Sequence, residues 1–248
     1  MSQRGNGTGA VARLVNALGR PAVRLWLHTA EMSDTQLPRP QDPDLRTPPA
    51  YNDDRVLLVG NGATVGYGVL THELSLAGHL GRQISQLTGR ATHVSVIADG
   101  SMTAGTALAN LTGVDLTHYD GVVMTVGVNE ALSLASPERW RRELDALLRG
   151  IRDRVPLLRV YMVGIPPVGS ITAVPVFVER ITDRHSQTLN DALSEACARF
   201  ARVTYLPFAP GPSSDIGRYR STETYREWSA LISGDVASGL LADCADDD

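Results

Sequence analysis

Short runs of consecutive apolar residues alternate along most of the chain with longer segments in which apolar residues recur every three or four positions. The short runs are rich in Val, Ile and Leu, as is typical of strands that are buried on both faces. They predict five strands, at residues 55–59, 93–97, 121–126, 159–163 and 203–206. The longer segments between them predict amphipathic helices.

The clearest of these helices has Ser136 as its N-cap and Pro137 as its first residue. Its apolar residues share one face: Trp140, Leu144, Leu147, Leu148, Ile151 and Val155. Two more helices are predicted at about residues 177–200 and 222–236. Strands separated by helices predict a doubly wound fold, a three-layer α/β/α sandwich with a central five-stranded parallel sheet.

The two ends of the chain depart from this pattern and divide it into 1–50, 51–240 and 241–248. Residues 1–30 contain four arginines and no acidic residue, and their apolar residues have helical spacing. We expect this basic arm to pack across its own domain, with an anionic membrane surface as the alternative. A proline-rich linker follows up to residue 50, and residues 241–248 form an acidic tail.

Composition narrows the possible functions. All 23 basic residues are arginines, set against 27 acidic ones, so the net charge of -4 gives no support to nucleic-acid binding. The only cysteines, Cys197 and Cys244, cannot form a structural zinc site and are expected to be reduced thiols. No long apolar stretch predicts a membrane span or a secretory signal, which favours a cytoplasmic location.

In sheets of this kind ligands bind beyond the carboxyl ends of the strands, here the loops after Val59, Ile97, Val126 and Val163. The glycine-rich loop of residues 60–66 first suggests dinucleotide binding. Two features argue against it: no helix is predicted before about residue 71, and the acidic Asp99 lies well past the usual spacing.

Taken together, the loops carry a different signature. Gly60-Asn61-Gly62 follows the first strand, Asp99-Gly100 the second and Gly127-Val128-Asn129-Glu130 the third, while Ile216-Gly217-Arg218-Tyr219 lies near the C-terminus. In this order the segments resemble the blocks of the SGNH (GDSL) hydrolases, namely Gly-Asp-Ser, a glycine, Gly-x-Asn-Asp and Asp-Gly-x-His. The resemblance extends over residues 55–231, including Pro166-Pro167 and the pair Tyr225 and Trp228. It implies the SGNH hydrolase fold, which is flavodoxin-like.

The resemblance also implies that the catalytic triad is missing. Family members attack an acyl carbon with the serine, assisted by the histidine and the aspartate. The corresponding positions here hold Gly62, Tyr219 and Ile216, none of which can perform these roles near neutral pH. Shifting the alignment by one residue would bring in Asp215, but no histidine follows His185.

The positions that correspond to the family's oxyanion hole still hold groups that can donate hydrogen bonds. The resemblance assigns it to the backbone N–H groups of Gly62 and Gly100 and the side chain of Asn129, so these three residues are the predicted ligand-binding site. The alternative is that the two glycines only permit tight turns and that Asn129 ties loops together.

Other polar residues near these loops are weaker candidates. Hydroxyls such as those of Thr64, Ser101 and Thr103 usually bond to nearby backbone, so none is assigned as a nucleophile. His185 falls on the buried face of a helix and is expected to be an interior histidine. Glu130 is either a carboxylate of the site or a group that caps a loop.

The sequence thus favours a catalytically degenerate SGNH-like protein whose former active-site cleft binds a small acyl or carboxylate-containing ligand, or a protein partner. Two alternatives stay open: an active ester hydrolase or acyl transferase with a different nucleophile, and an assembly protein that makes contacts through its basic arm and acidic tail. No cofactor or metal is expected, because His, Cys and carboxylate residues do not cluster at ligand spacing.

Overall fold

The computed structural model describes residues 37–42, 53–168, 175–208 and 221–246. Its sheet contains five parallel strands, in the spatial order β2-β1-β3-β4-β5. They are β1 (Asp54–Gly60), β2 (Thr92–Ala98), β3 (Gly121–Thr125), β4 (Arg159–Val163) and β5 (Val203–Leu206). The five predicted strands and their parallel arrangement are confirmed, and each observed end lies within one residue of its predicted position.

Helices cover both faces of this sheet. They are α1 (Leu76–Thr88), α2 (Ala104–Asn110), α3 (Val128–Leu132), α4 (Pro137–Arg154), α5 (Val176–Cys197), α6 (Thr222–Ala230) and α7 (Ser233–Asp246). Successive strand residues face opposite sides, so Leu57 and Val59 pack beneath α2, α4 and α5, while Val56 and Leu58 pack beneath α1, α6 and α7. This arrangement confirms the three-layer α/β/α sandwich.

The prediction of one helix over residues 222–236 is wrong, because two helices occupy this region. After Ala230 the backbone N–H groups of Leu231 and Ile232 donate to carbonyls only three residues earlier, which tightens the turn and ends α6. Trp228, Ile232 and Val236 are all buried and continue a four-residue spacing across the turn. Hydrophobic periodicity therefore gave no signal of the break.

Short stretches of the predicted linker and tail belong to the folded unit. Pro38 O accepts from Gly68 N at 2.7 Å, and the Asp42 carboxylate accepts from His72 N at 3.0 Å. The basic arm, residues 1–30, lies outside the described residues. Helix α7 continues to Asp246, so the acidic segment that starts at residue 241 begins within this helix.

Within the described part of the chain, every helix is too short or too polar to cross a bilayer.

Candidate functional site

The strand order brings the predicted site loops together. From β1 the chain moves to β2 on one side and then crosses to β3 on the other, so the carboxyl ends of β1 and β3 form a topological switch point. Gly60 and Thr125, the last residues of these strands, are paired in register. The loops that carry Gly62 and Asn129 therefore start side by side, where a fold of this kind binds its ligand.

Gly62 lies in this position with open space on the side where a side chain would extend. Its φ is +53°, in the left-handed region, and a Cβ built on it would meet no heavy atom within 4 Å. The position that corresponds to the family serine thus has room for a side chain but presents only backbone.

Asn129 ties two loops together. Its Nδ2 donates to Gly100 O and to Met102 O, both at 2.9 Å. A primary amide has two N–H groups, so these two bonds engage both of them. This geometry favours the interpretation in which Asn129 joins loops, and a role for Gly100 and Asn129 in ligand binding stays a prediction.

A tyrosine that the sequence analysis missed lies over Gly100. A Cβ built on Gly100 would lie 2.6 Å from Tyr67 Oη, so the phenol occupies the space beside this glycine. The loop that carries Tyr67 is anchored from α6, since Tyr225 Oη donates to Tyr67 O at 2.8 Å. Tyr225 is buried and packs edge-on against Trp228, with ring centroids 5.8 Å apart.

Asn61, between the two glycines of the first loop, is the second residue that the sequence analysis missed. It is only 2% exposed. Its backbone N–H donates to Thr125 O at 3.0 Å, and its Nδ2 donates to Met102 O at 2.7 Å. Among the described residues, its Oδ1 is buried and has no hydrogen-bond partner.

The loop hydroxyls have hydrogen-bond partners, but those of Thr64 and Ser101 bond to side chains and not to the nearby backbone that was predicted. Thr64 Oγ1 lies 2.6 Å from Thr125 Oγ1, which in turn donates to Asn61 O. Ser101 Oγ donates to Asp99 Oδ1 at 2.7 Å, and Thr103 forms the capping box of α2. Each of these hydroxyls therefore has a local structural role.

The structure also decides between the two roles predicted for Glu130, a carboxylate of the site or a capping group. Its Oε1 accepts from Ala104 N, the first residue of α2, at 2.7 Å. The side chain is 3% exposed, and this burial raises the pKa of its carboxyl above the ordinary value. Glu130 therefore caps a helix. His185 is buried in α5, as predicted for an interior histidine.

A cleft opens at the carboxyl ends of the strands beside Gly62. It holds about 500 Å³ of space between protein atoms, its mouth included. Asn61, Gly62 and Thr125 line one side, and the rest of the lining is mostly apolar: Leu76, Val163, Ile165, Phe208, Trp228 and Ile232. Gly100 and Asn129 do not line it, so the three residues predicted as one binding site are divided between the cleft and the adjoining loop contact.

The loop after β4 is held against the cleft by α5. Ile165 N donates to Asn190 Oδ1 at 2.8 Å and Asn190 Nδ2 donates to Ile165 O at 2.9 Å, so one side chain satisfies both backbone groups. Val168 N donates to Asp183 Oδ1 at 2.7 Å. These bonds fix one wall of the cleft before any ligand binds.

Two predicted triad positions, Ile216 and Tyr219, lie outside the described residues. Within the described residues, no three His, Cys, Asp or Glu side chains come close enough together to hold a metal ion.

Comparison with known proteins agrees with this architecture. Residues 58–230 match the sequence model of the GDSL-like lipase/acylhydrolase family. Curated protein sequences gave no match.

Several solved structures are similar to the chain. A carbohydrate acetylesterase from Sinorhizobium meliloti is 18% identical, with a TM-score of 0.58 over 75% of this chain and 99% of that protein. An aryl esterase from M. smegmatis is 17% identical, with a TM-score of 0.59 over the same shares. A carbohydrate esterase family 2 enzyme with a carbohydrate-binding domain, from Corynascus thermopiles, is 15% identical, with a TM-score of 0.59 over 79% of this chain and 69% of that one. At these identities the likeness concerns the fold.

Proposed function

The chain belongs to the GDSL-like lipase/acylhydrolase family, and we propose that it has lost ester hydrolysis and binds a small ligand without reacting with it, in the cleft beside Gly62. The observation that carries the proposal is the nucleophile position itself. Gly62 has open space around it and no side chain, so an acyl group bound there would meet no hydroxyl from this residue.

The remaining triad positions agree with this proposal. Ile216 cannot accept a hydrogen bond, and Tyr219, with an ordinary pKa of about 10, is a poor base near neutral pH. The nearby hydroxyls of Thr64, Ser101 and Thr103 already bond to local groups.

The environment of Gly100 also supports the loss of catalysis. An oxyanion hole requires N–H groups that are free to donate toward the developing charge. Here the two N–H groups of Asn129 Nδ2 donate to backbone carbonyls, and the Tyr67 phenol lies beside Gly100. The side-chain donor of the family's oxyanion hole is therefore engaged within the protein.

The cleft nonetheless keeps the features of a binding site. One of its walls is held by hydrogen bonds from α5, and Phe208 and Trp228 pack edge-on with ring centroids 5.8 Å apart. Burying about 100 Å² of apolar ligand surface on such a lining would contribute about 2.5 kcal/mol. A rigid apolar lining stabilises a bound molecule without any reaction.

Two measurements on the purified protein test the proposal. The first is hydrolysis of p-nitrophenyl acetate and butyrate by the natural protein, beside a folded variant that carries Gly62→Ser, Ile216→Asp and Tyr219→His. The second is the intact mass after treatment with a fluorophosphonate, which phosphonylates an activated hydroxyl. We expect the natural protein to match buffer in the first and to gain no mass in the second.

A phosphonyl adduct on a cleft residue of the natural protein, together with ester turnover that the same reagent abolishes, would overturn the proposal. It would identify a different nucleophile and return the protein to the active hydrolases. Turnover by the triple variant alone would support the proposal, because it would show a cleft that lacks only its catalytic groups.

A further inference from the structure

Strand β2 forms one edge of the sheet, and within the part of the chain that the structure describes it pairs with β1 alone. At one end of this ladder Ala91 O accepts from Asp54 N at 2.8 Å, and at the other Asp99 N donates to Gly60 O at 3.1 Å. In a parallel pair alternate residues bond to the neighbouring strand, so the odd-numbered residues of β2 bond to β1. The backbone N–H and C=O groups that point outward are those of Thr92, Val94 and Val96.

A groove runs between this outer edge and α1. On the strand side it is lined by residues 92–94, which include two of the outward-facing positions. A Cβ built on Gly81 would lie 3.3 Å from Thr92 O, so the helix passes close to the edge of the strand. Small side chains on the helix side leave room for another backbone, and these residues are Ala77, Gly78, Gly81 and Ser85. The groove therefore offers backbone partners and space to an extended chain.

The sequence of β2 gives this edge little protection of its own. Edge strands that face water usually carry charged residues or proline, because an unpaired row of backbone groups otherwise pairs with another chain. The seven residues of β2 contain one ionisable side chain, His93, and no proline. Val96 and Ile97 are only partly buried, although both pack against the core. An edge of this kind requires a cover from another segment.

The chain itself has a segment whose two ends meet the two ends of the groove. Residues 43–52 lie outside the described residues, but the residues on either side of them are placed. Asp42 accepts from the backbone N–H of His72 at 3.0 Å, directly before the first residue of the groove lining. Asp53 Oδ2 lies 2.8 Å from Nε2 of His93, which lines the groove at the start of β2. The ten residues between them must therefore connect one end of the groove with the other.

The length of this segment fits the groove, and the opposite flank of α1 is closed. Helix α1 has 13 residues and is about 20 Å long. A segment of this length reaches up to about 34 Å in the extended polyproline conformation, which is enough to run past the whole helix. On the opposite flank the side chains of His79 and Gln83 bond to α6 at 2.9 and 3.0 Å. The groove is thus the accessible route beside α1.

We propose that residues 43–52 dock in this groove as an extended chain, antiparallel to β2, and cover the outer edge of the sheet. Their backbone groups pair with those of Thr92 and Val94. Pro43, Pro48 and Pro49 suit this place, because proline favours an extended chain and has no N–H to offer to a further strand. The proline-rich linker thereby closes the sheet to pairing with other chains.

Amide hydrogen exchange, followed by NMR in the full-length protein, tests this inference. The N–H of Val94 faces the groove and that of Ser95 faces β1, so the second is an internal reference for the folded sheet. We expect Val94 to exchange at least about 100-fold more slowly than an unstructured amide. Replacing residues 43–52 with ten Gly and Ser residues should speed exchange of Val94 at least about tenfold and change that of Ser95 less than about twofold.

A matched control receives the same Gly and Ser sequence in place of residues 27–36, and there the slow exchange of Val94 should persist. Fast exchange of Val94 in the natural protein would overturn the inference, because the edge would then be uncovered. Slow exchange that survives the replacement of residues 43–52 would overturn it as well, since another segment would cover the edge. Protection that disappears on dilution would assign the edge to a second copy of the chain, again against the inference.

Discussion

The two ends of the sheet use polar side chains in different ways. At the amino end, charges pair with each other: Asp243 accepts from Arg159 and Arg202 at 2.6 Å, and Asp54 accepts from Arg90 and Thr88. At the carboxyl end, neutral amides and hydroxyls bond to loop backbone, and two buried acceptors, Asn61 Oδ1 and Glu130 Oε2, have no hydrogen-bond partner among the described residues.

This difference indicates that polar side chains at the amino ends of the strands stabilise the fold, whereas those at the carboxyl ends surround the candidate cleft. Paired charges at the amino end fasten α7 and the strand starts. The carboxyl end combines open space at Gly62 and an apolar cleft with buried acceptors that lack a partner among the described residues, and each such acceptor costs free energy. Such costs are concentrated at functional sites.

The largest expected effect concerns how closely β1 and β3 pack at the carboxyl end of the sheet. A Cβ on Gly60 would lie 2.3 Å from both Thr125 O and Thr125 Oγ1, whereas a Cβ on Gly62 meets open space. We expect Gly60→Ala to lower the free energy of unfolding by about 4 kcal/mol or more, or to prevent folding, because β1 and β3 must separate. Gly62→Ala should cost only about 1 kcal/mol, the strain of its left-handed φ. Urea unfolding of both variants makes the comparison, and equal losses would contradict it.

A smaller effect is expected from the amino end. Asp243→Asn leaves two arginines without their carboxylate and should lower the free energy of unfolding by about 1–2 kcal/mol. Hydrogen bonds from Arg159 and Arg202 lower the pKa of Asp243 in the folded protein. The unfolded pKa of about 3.9 is then the higher of the two, so the contribution is present above it and is lost as the pH falls through the folded value. Urea unfolding at neutral and at acidic pH measures this loss.

The control for this prediction is Glu223→Gln, which breaks the exposed pair with Arg226 and should cause no measurable change. A loss in Glu223→Gln as large as that in Asp243→Asn would contradict this prediction, because it would show that exposed and partly buried pairs contribute alike.

Much of the fold could be predicted from the sequence, because buried strands and buried helix faces have a recognisable pattern of apolar residues. The strands are continuous apolar runs, and Ser136 and Pro137 marked the start of α4 at the observed residue. The break between α6 and α7 left no such pattern, since Trp228, Ile232 and Val236 keep one spacing through both helices. The spacing of apolar residues shows which face of a helix is buried, but it does not show whether the helix axis changes direction.

The position of the candidate site could be predicted from the sequence, but the hydrogen bonds and contacts within it could not. The switch point placed Gly62, Gly100 and Asn129 at one edge of the sheet, as the family blocks implied. The sequence could not show that Asn129 donates to Gly100 O, or that a phenol seven residues after Gly60 reaches Gly100. The contacts of Asn61 gave no signal either, because its amide donates to Met102 O, 41 residues further along the chain.

The smallest expected effect concerns the contact between Gly100 and the Tyr67 hydroxyl. Gly100→Ala would bring a Cβ to 2.6 Å from Tyr67 Oη but leave it 3.9 Å from Tyr67 Cζ, so only the hydroxyl obstructs it. We expect Gly100→Ala to cost about 1 kcal/mol in the natural protein and less than half of that in a Tyr67→Phe background. A double-mutant cycle by urea unfolding gives this coupling. Equal costs in both backgrounds would show that the phenol moves aside freely, and the carboxyl end would then be looser beside Gly100 than at the Gly60 contact.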